Sequence, residues 1–127
     1  MAKKALIVDD NLINIDVLRM LLEAQGVETV AVSSPRHLND AIASVDAVDV
    51  VFLDLEISNY SGFTVLQDLK KDTRLKSTPI VAYTVHTSEI DVARKAGFDS
   101  FLGKPLSVQR FPAQLARILN GEEVWEI

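Results

Sequence analysis

The chain has 127 residues, 48% hydrophobic and 24% charged, with 13 Lys and Arg against 18 Asp and Glu for a formal net charge of −5. That is one domain's worth of chain with room for a real core, and the composition excludes a fibre and a disordered polymer; the acidic balance argues against nucleic acid as a partner. The sequence holds no cysteine, which removes disulfides, thiolate zinc sites and cysteine nucleophiles, and no apolar run approaches the ~18 residues a bilayer span needs, so the expectation is a cytoplasmic domain with no membrane partner.

Short apolar runs recur along the chain: Ala5–Val8, Thr29–Val32, Val48–Leu53 interrupted by Asp49, Ile80–Tyr83, and a weaker Phe101–Leu102. Each is too short for a helix, rich in β-branched or aromatic residues, and apolar on both alternating faces, which suits a strand covered on both sides. Amphipathic stretches alternate with them. Leu18, Leu21 and Leu22 mark the first helix, which the pattern closes at Gly26. Residues 35–45 read as the second, 61–71 as the third, 88–96 as the fourth with Gly97 as its stop, and 108–119 as the fifth, with Gly121 behind it. Pro112 falls inside that last stretch, where a missing N–H predicts a kink or a delayed start. Five β-α units in a row predict right-handed crossovers and a parallel sheet with helices on both faces.

Sites in such sheets form at the carboxyl ends of the strands. Asp9 and Asp10 follow the first strand, Asp54 and then Glu56 end the third, Thr84 ends the fourth, and Lys104–Pro105 follows the fifth. After the second come only Ser33, Ser34 and Pro35, as expected of a strand outside the site. Clustered carboxylates raise one another's pKa unless a cation neutralises them. That donor set asks for a hard divalent ion, with Mg²⁺ held by carboxylates and a phosphate as the usual case. Lys104 and Thr84 add a point charge and a hydroxyl suited to phosphoryl oxygens.

These residues, with Gly62 eight positions after Asp54, stand in the order and spacing of a known family. From Lys4 to about Leu119 the chain resembles a response-regulator receiver domain, of the stand-alone, chemotaxis-regulator-like kind. The resemblance implies a doubly wound, flavodoxin-like α/β fold, (βα)5, with a five-stranded parallel sheet in the order 2-1-3-4-5. It also implies roles. Asp54 is the phosphoacceptor; Asp10 binds Mg²⁺ directly and Asp9 through water, and the backbone carbonyl of Glu56 joins them on the metal. Thr84 and Lys104 hold the phosphoryl group, Phe101 is the aromatic switch that turns inward as Thr84 moves, and the bond before Pro105 is cis. The implied function is that of a single-domain response regulator in a two-component phosphorelay. It would take its phosphoryl group from a sensor histidine kinase or phosphotransfer protein and signal to a downstream protein by changing shape. No enzymatic activity is implied beyond its own phosphorylation and dephosphorylation. Residues 1–120 would form the receiver and 121–127 a short acidic tail, with no output domain.

The chain departs from the family in places. Residues 57–60, Ile-Ser-Asn-Tyr, replace the family's usual Met-Pro stretch, which would loosen that loop; Val85 stands where alanine is common in the family; and Glu56 and His86 stand at positions that, by the resemblance, tune phosphoryl lifetime. Plainer readings exist beside these. Asp9 and Asp10 could cap the first helix, Phe101 could be core as well as switch, and His37 and His86 lack partners at metal-ligand spacing. Lys70, Lys71, Arg74 and Lys76 read as a solvated basic face, and the Trp125 tail as a frayed end or an anchor. Two other functions compete: a degenerate receiver acting as a phosphorylation-independent binding module, and a small aspartate-nucleophile phosphatase with Glu56 as its second acid. The complete set of acids, threonine and lysine favours the phosphorylated switch over both.

Overall fold

A computed structural model describes residues 2–57 and 60–127. The strands are β1 (Lys4–Val8), β2 (Glu28–Val32), β3 (Val50–Asp54), β4 (Glu56–Ile57), β5 (Tyr60–Ser61), β6 (Ile80–Thr84), β7 (Ser100–Gly103) and β8 (Trp125–Glu126). The helices are α1 (Leu12–Glu23), α2 (Leu38–Ala43), α3 (Gly62–Lys71), α4 (Ile90–Ala96) and α5 (Phe111–Leu119). The main sheet runs β2-β1-β3-β6-β7-β8, all pairs parallel, so its first five strands reproduce the expected order 2-1-3-4-5.

Alternation along the strands divides the core into two layers. In β3, Val50 and Phe52 join Ile15, Leu18 and Leu22 of α1 and Phe111, Leu115 and Ile118 of α5 on one face. Val51 and Leu53 join Leu66 and Leu69 of α3, with Ile42 of α2 and Ala93 of α4, on the other. Every residue of β3 and β6 is buried, as a central parallel strand requires.

Local chemistry corrects several expected boundaries. Helix α1 stops at Glu23 with Ala24 as its cap, short of Gly26, which instead supplies a turn at φ +77°. Pro35–His37 and Thr87–Glu89 form 3₁₀ turns, so α2 and α4 begin later than expected. Ser61 caps α3 by accepting the N–H of Phe63 at 3.2 Å. Helix α5 begins at Phe111, later than residue 108, so of the kink and the delayed start it is the delay that the structure shows; Pro112 sits in the first turn, where a missing N–H costs nothing. The larger departure is at residues 125–126. In place of a frayed end, Trp125 and Glu126 add a sixth strand beside β7.

Candidate functional site

The carboxyl ends of β1, β3, β6 and β7 meet at one rim, and the chain's polar groups collect there. Asp9, Asp10 and Asp54 each present a carboxylate oxygen, and these atoms all lie within 4.8 Å of one another. Asp9 is fully buried, Asp54 is 6% exposed and Thr84 is 1% exposed. Lys104 enters from beyond β7, with Nζ 3.3 Å from Asp9 Oδ2 and 3.4 Å from Asp54 Oδ2. The Lys104–Pro105 bond is cis, as expected.

Backbone N–H groups two residues on hold Asp9 and Asp54 in place. Asp9 Oδ1 accepts the N–H of Asn11 at 2.9 Å, and Asp54 Oδ1 accepts the N–H of Glu56 at 3.2 Å. The capping alternative for Asp9 and Asp10 gives way, because Asn11 is the N-cap of α1 and accepts from Asn14 N–H. Thr84 Oγ1 accepts the N–H of His86 at 3.1 Å. Gly62 explains its own identity here: a Cβ would stand 2.6 Å from both Asp54 O and Leu55 Cα, so only glycine lets α3 start this close to the end of β3.

Burial pushes the Asp54 carboxyl up from 3.8 to about 6; Lys104 pulls it down, while the Asp9 charge and a hydrogen bond with Asp9 push it up. One ammonium therefore does not neutralise the cluster. Hard oxygen donors in excess of the available positive charge are the setting in which a small divalent cation binds.

Sequence reasoning missed Tyr83. Its hydroxyl donates to Asp9 Oδ2 at 2.7 Å, and Lys104 Nζ lies 4.3 Å from its ring centroid. Tyrosine inside an otherwise aliphatic run was the available signal, since a buried phenol needs a polar partner. Burial, with Asp9 second, pushes that phenol far up, so it stays a donor.

Glu56 and His86 face each other across the rim, Nε2 to Oε1 at 2.8 Å, so His86 has a carboxylate partner rather than a metal-ligand set. Phe101 is fully buried against the α2–α4 layer, which fits both the core and the inward-switch readings. Val85 is 62% exposed and does not crowd Thr84 from within. Around the altered loop, Glu56 pairs with Ser61 and Ile57 with Tyr60, while Ser58 and Asn59 lie outside the described residues. Of the basic stretch, Lys70, Lys71 and Lys76 line a depression at the other end of the sheet, shared with the start of β6. Arg74 is bound to Asp72 at 2.7 Å and Lys70 to Asp99 at 3.6 Å, as a solvated face would have it.

A profile described as the response regulator receiver domain matches residues 5–116. The chain belongs to that family. Among its curated relatives, the polar-differentiation response regulator DivK of Brucella ovis is 34% identical over 113 residues, covering 87% of this chain and 91% of the relative. The DivK of Brucella anthropi is 33% identical over the same shares. Among solved structures, a two-component response regulator from Clostridium difficile aligns with a TM-score of 0.80 at 27% identity, covering 93% of this receiver and 96% of that chain. The chemotaxis protein CheY4 of Vibrio cholerae aligns at 0.83 with 22% identity, over 93% and 99%, a likeness of fold. This receiver is thus a domain of two-component signalling, and no helix among its described residues is long and apolar enough to cross a membrane.

Proposed function

We propose that this receiver takes a phosphoryl group on Asp54 from a phosphohistidine in a Mg²⁺-dependent reaction and signals through the resulting change of shape. The observation that carries the reading is the placement of Lys104 between Asp9 and Asp54, at 3.3 and 3.4 Å, inside a cluster of three carboxylates. Asp9 and Asp10, with the Glu56 carbonyl and Asp54, would hold the metal, Asp10 directly and Asp9 through water. When bound, Mg²⁺ would offset the negative charge of the carboxylates and of the phosphoryl oxygens.

The chain's own residues do the rest. The N–H of Glu56 fixes one Asp54 oxygen, so the carboxylate approaches phosphorus in a set direction. An O–P bond forms as the P–N bond breaks, and the bonding pair returns to the imidazole nitrogen of the donor. Positioning and charge carry nearly all of this chemistry. Lys104 then transfers its attraction from the bare carboxylates to the phosphoryl oxygens, and Thr84 Oγ1 offers them a hydrogen bond. Movement of Thr84 toward the phosphoryl group opens space behind it, which biases Phe101 and the β6–α4 connection between two arrangements.

The donor is a histidine kinase or phosphotransfer protein. Leu12, Ile13, Val17 and Met20 of α1 expose apolar surface, 70%, 74%, 46% and 70% respectively, directly after Asp10. A protein bringing its phosphohistidine to Asp54 would bury that face. The test is transfer from a ³²P-labelled phosphohistidine donor with Mg²⁺ and with the metal chelated. Label on the receiver only with metal is the expected result. No label under either condition would leave the domain as a phosphorylation-independent binding module.

A further inference from the structure

Residues 122–127 lie in a groove with the edge of β7 as its floor and α4 and α5 as its walls. Trp125 pairs with Phe101 and Glu126 with Leu102, in parallel. The N–H of Phe101 donates to Val124 O at 2.7 Å, and the N–H of Val124 donates to Ser100 Oγ at 2.9 Å. Side chains alternate between layers as in any strand. Val124, 1% exposed, enters the layer under α1 and α5, and Trp125 packs on the layer under α2–α4.

The walls are cationic although the chain carries −5. The Arg94 guanidinium of α4 sits 4.5 Å above the Trp125 ring. From α5 and its N-cap, Arg110 and Arg117 reach the Glu126 carboxylate at 3.7 and 3.6 Å, and Gln114 donates to it at 2.6 Å. Arg117 also meets Glu122 at 3.6 Å. Opposite Ile127, a Cβ on Gly103 would stand 2.9 Å from that residue's carbonyl carbon, so the floor is bare where the strand passes.

We propose that this β7 edge is a docking site for an extended acidic segment of a partner protein, with apolar, aromatic and acidic residues in succession, and that residues 122–127 occupy it as the chain's own stand-in. The groove has the parts such recognition uses: an open strand edge for main-chain bonds, an apolar slot on each side of the sheet, and arginines that select acidic side chains. The occupant is suited to exchange. Its ladder is short, the chain turns into it at Gly121 with φ +88°, and few main-chain bonds make an element that opens locally at low free energy. While docked, residues 122–127 exclude the partner; once displaced, they free the face formed by α4, β7 and α5. Docking at this edge is tested on the unphosphorylated chain, apart from the phosphoryl chemistry.

Trp125 is the one tryptophan of the chain, so its emission reports docking in the intact protein. A tryptophan-free peptide, Glu-Glu-Val-Phe-Glu-Ile, is titrated against the full chain. The expected result is a saturable red shift at peptide concentrations on the order of millimolar, the local concentration a short tether gives the tail; a scrambled peptide gives none. In a second arm, a fluorescein-labelled Glu-Glu-Val-Trp-Glu-Ile peptide is added to the full-length Val124→Asp variant. It binds roughly tenfold or more tightly than to the wild type, whose own strand competes, and Arg117→Glu in the same background weakens it severalfold. No shift of Trp125 emission at ~10 mM peptide, well above that local concentration, overturns the proposal, and so does equal binding to wild type and Val124→Asp. Should that variant fail to fold, the wild-type titration decides alone.

Discussion

The Tyr83 hydroxyl donates to Asp9 Oδ2 at 2.7 Å, joining β6 to the end of β1 through two side chains that are both almost fully buried. A hydrogen bond to a charged, desolvated acceptor contributes more than the average bond, roughly 1.5–3 kcal/mol. Tyr83→Phe should therefore cost about 2 kcal/mol in urea unfolding with metal chelated. A loss below about 0.5 kcal/mol would mean that water takes the phenol's place.

Asp54 gives the site its pH dependence. Its folded pKa is raised from 3.8 to about 6 by burial first, with the Asp9 charge adding to it against Lys104. The folded chain therefore holds this proton more tightly than the unfolded chain. Metal-free stability should fall as pH rises from about 4 through about 6 and then level off. Asp54→Asn should flatten that decline. Paired unfolding curves at pH 4.5 and 7.5 in chelator check this, and an equal decline in both proteins would assign it elsewhere.

Removing Lys104 leaves buried carboxylates facing one another. Lys104→Met should destabilise the metal-free domain by about 3 kcal/mol, the usual cost of breaking a buried pair, and push the Asp54 titration higher still. Added Mg²⁺ should restore part of the loss, because a ligand that binds only the folded state stabilises it. Thermal melts with and without Mg²⁺ read both effects. Equal Mg²⁺ stabilisation of wild type and Asp9→Asn/Asp10→Asn would show that the cation binds outside the cluster.

The apolar face of α1 separates protein donors from small ones. Ile13→Asp changes a side chain that is 74% exposed, so stability should move by no more than about 0.5 kcal/mol. Transfer from the phosphohistidine donor should slow about tenfold or more, the loss of some 1.4 kcal/mol of docking, while phosphorylation by a small phosphodonor is unchanged. Equal slowing with both would place Ile13 in the chemistry itself.

Much of this receiver was legible because parallel strands buried on both faces read as continuous apolar runs, and the fold gathers the residues just after those runs on one rim. Asp9, Asp10, Asp54, Thr84 and Lys104 were found in that way, without any contact in view. Tyr83 was not, because its strand position marks it as core and the partner of its hydroxyl is 74 residues away. Apolar period alone ran the start of α5 back to Val108, and it was Pro112 that signalled the delay the structure shows, the helix beginning where that proline can sit in its first turn. The sixth strand was invisible for another reason. Val124 and Trp125 form too short a run to signal a strand, and only the cationic walls of α4 and α5 and the open edge of β7 make them one.

The central claim is that Asp54 accepts a single phosphoryl group with the help of Mg²⁺. Intact mass spectrometry after incubation with Mg²⁺ and a small phosphodonor such as acetyl phosphate tests it most directly, beside Asp54→Asn and a chelated control. The account predicts one phosphoryl adduct on the wild type and none on the variant or without metal. An Asp54→Asn protein that still gains the adduct, or a wild type that never does, would contradict it.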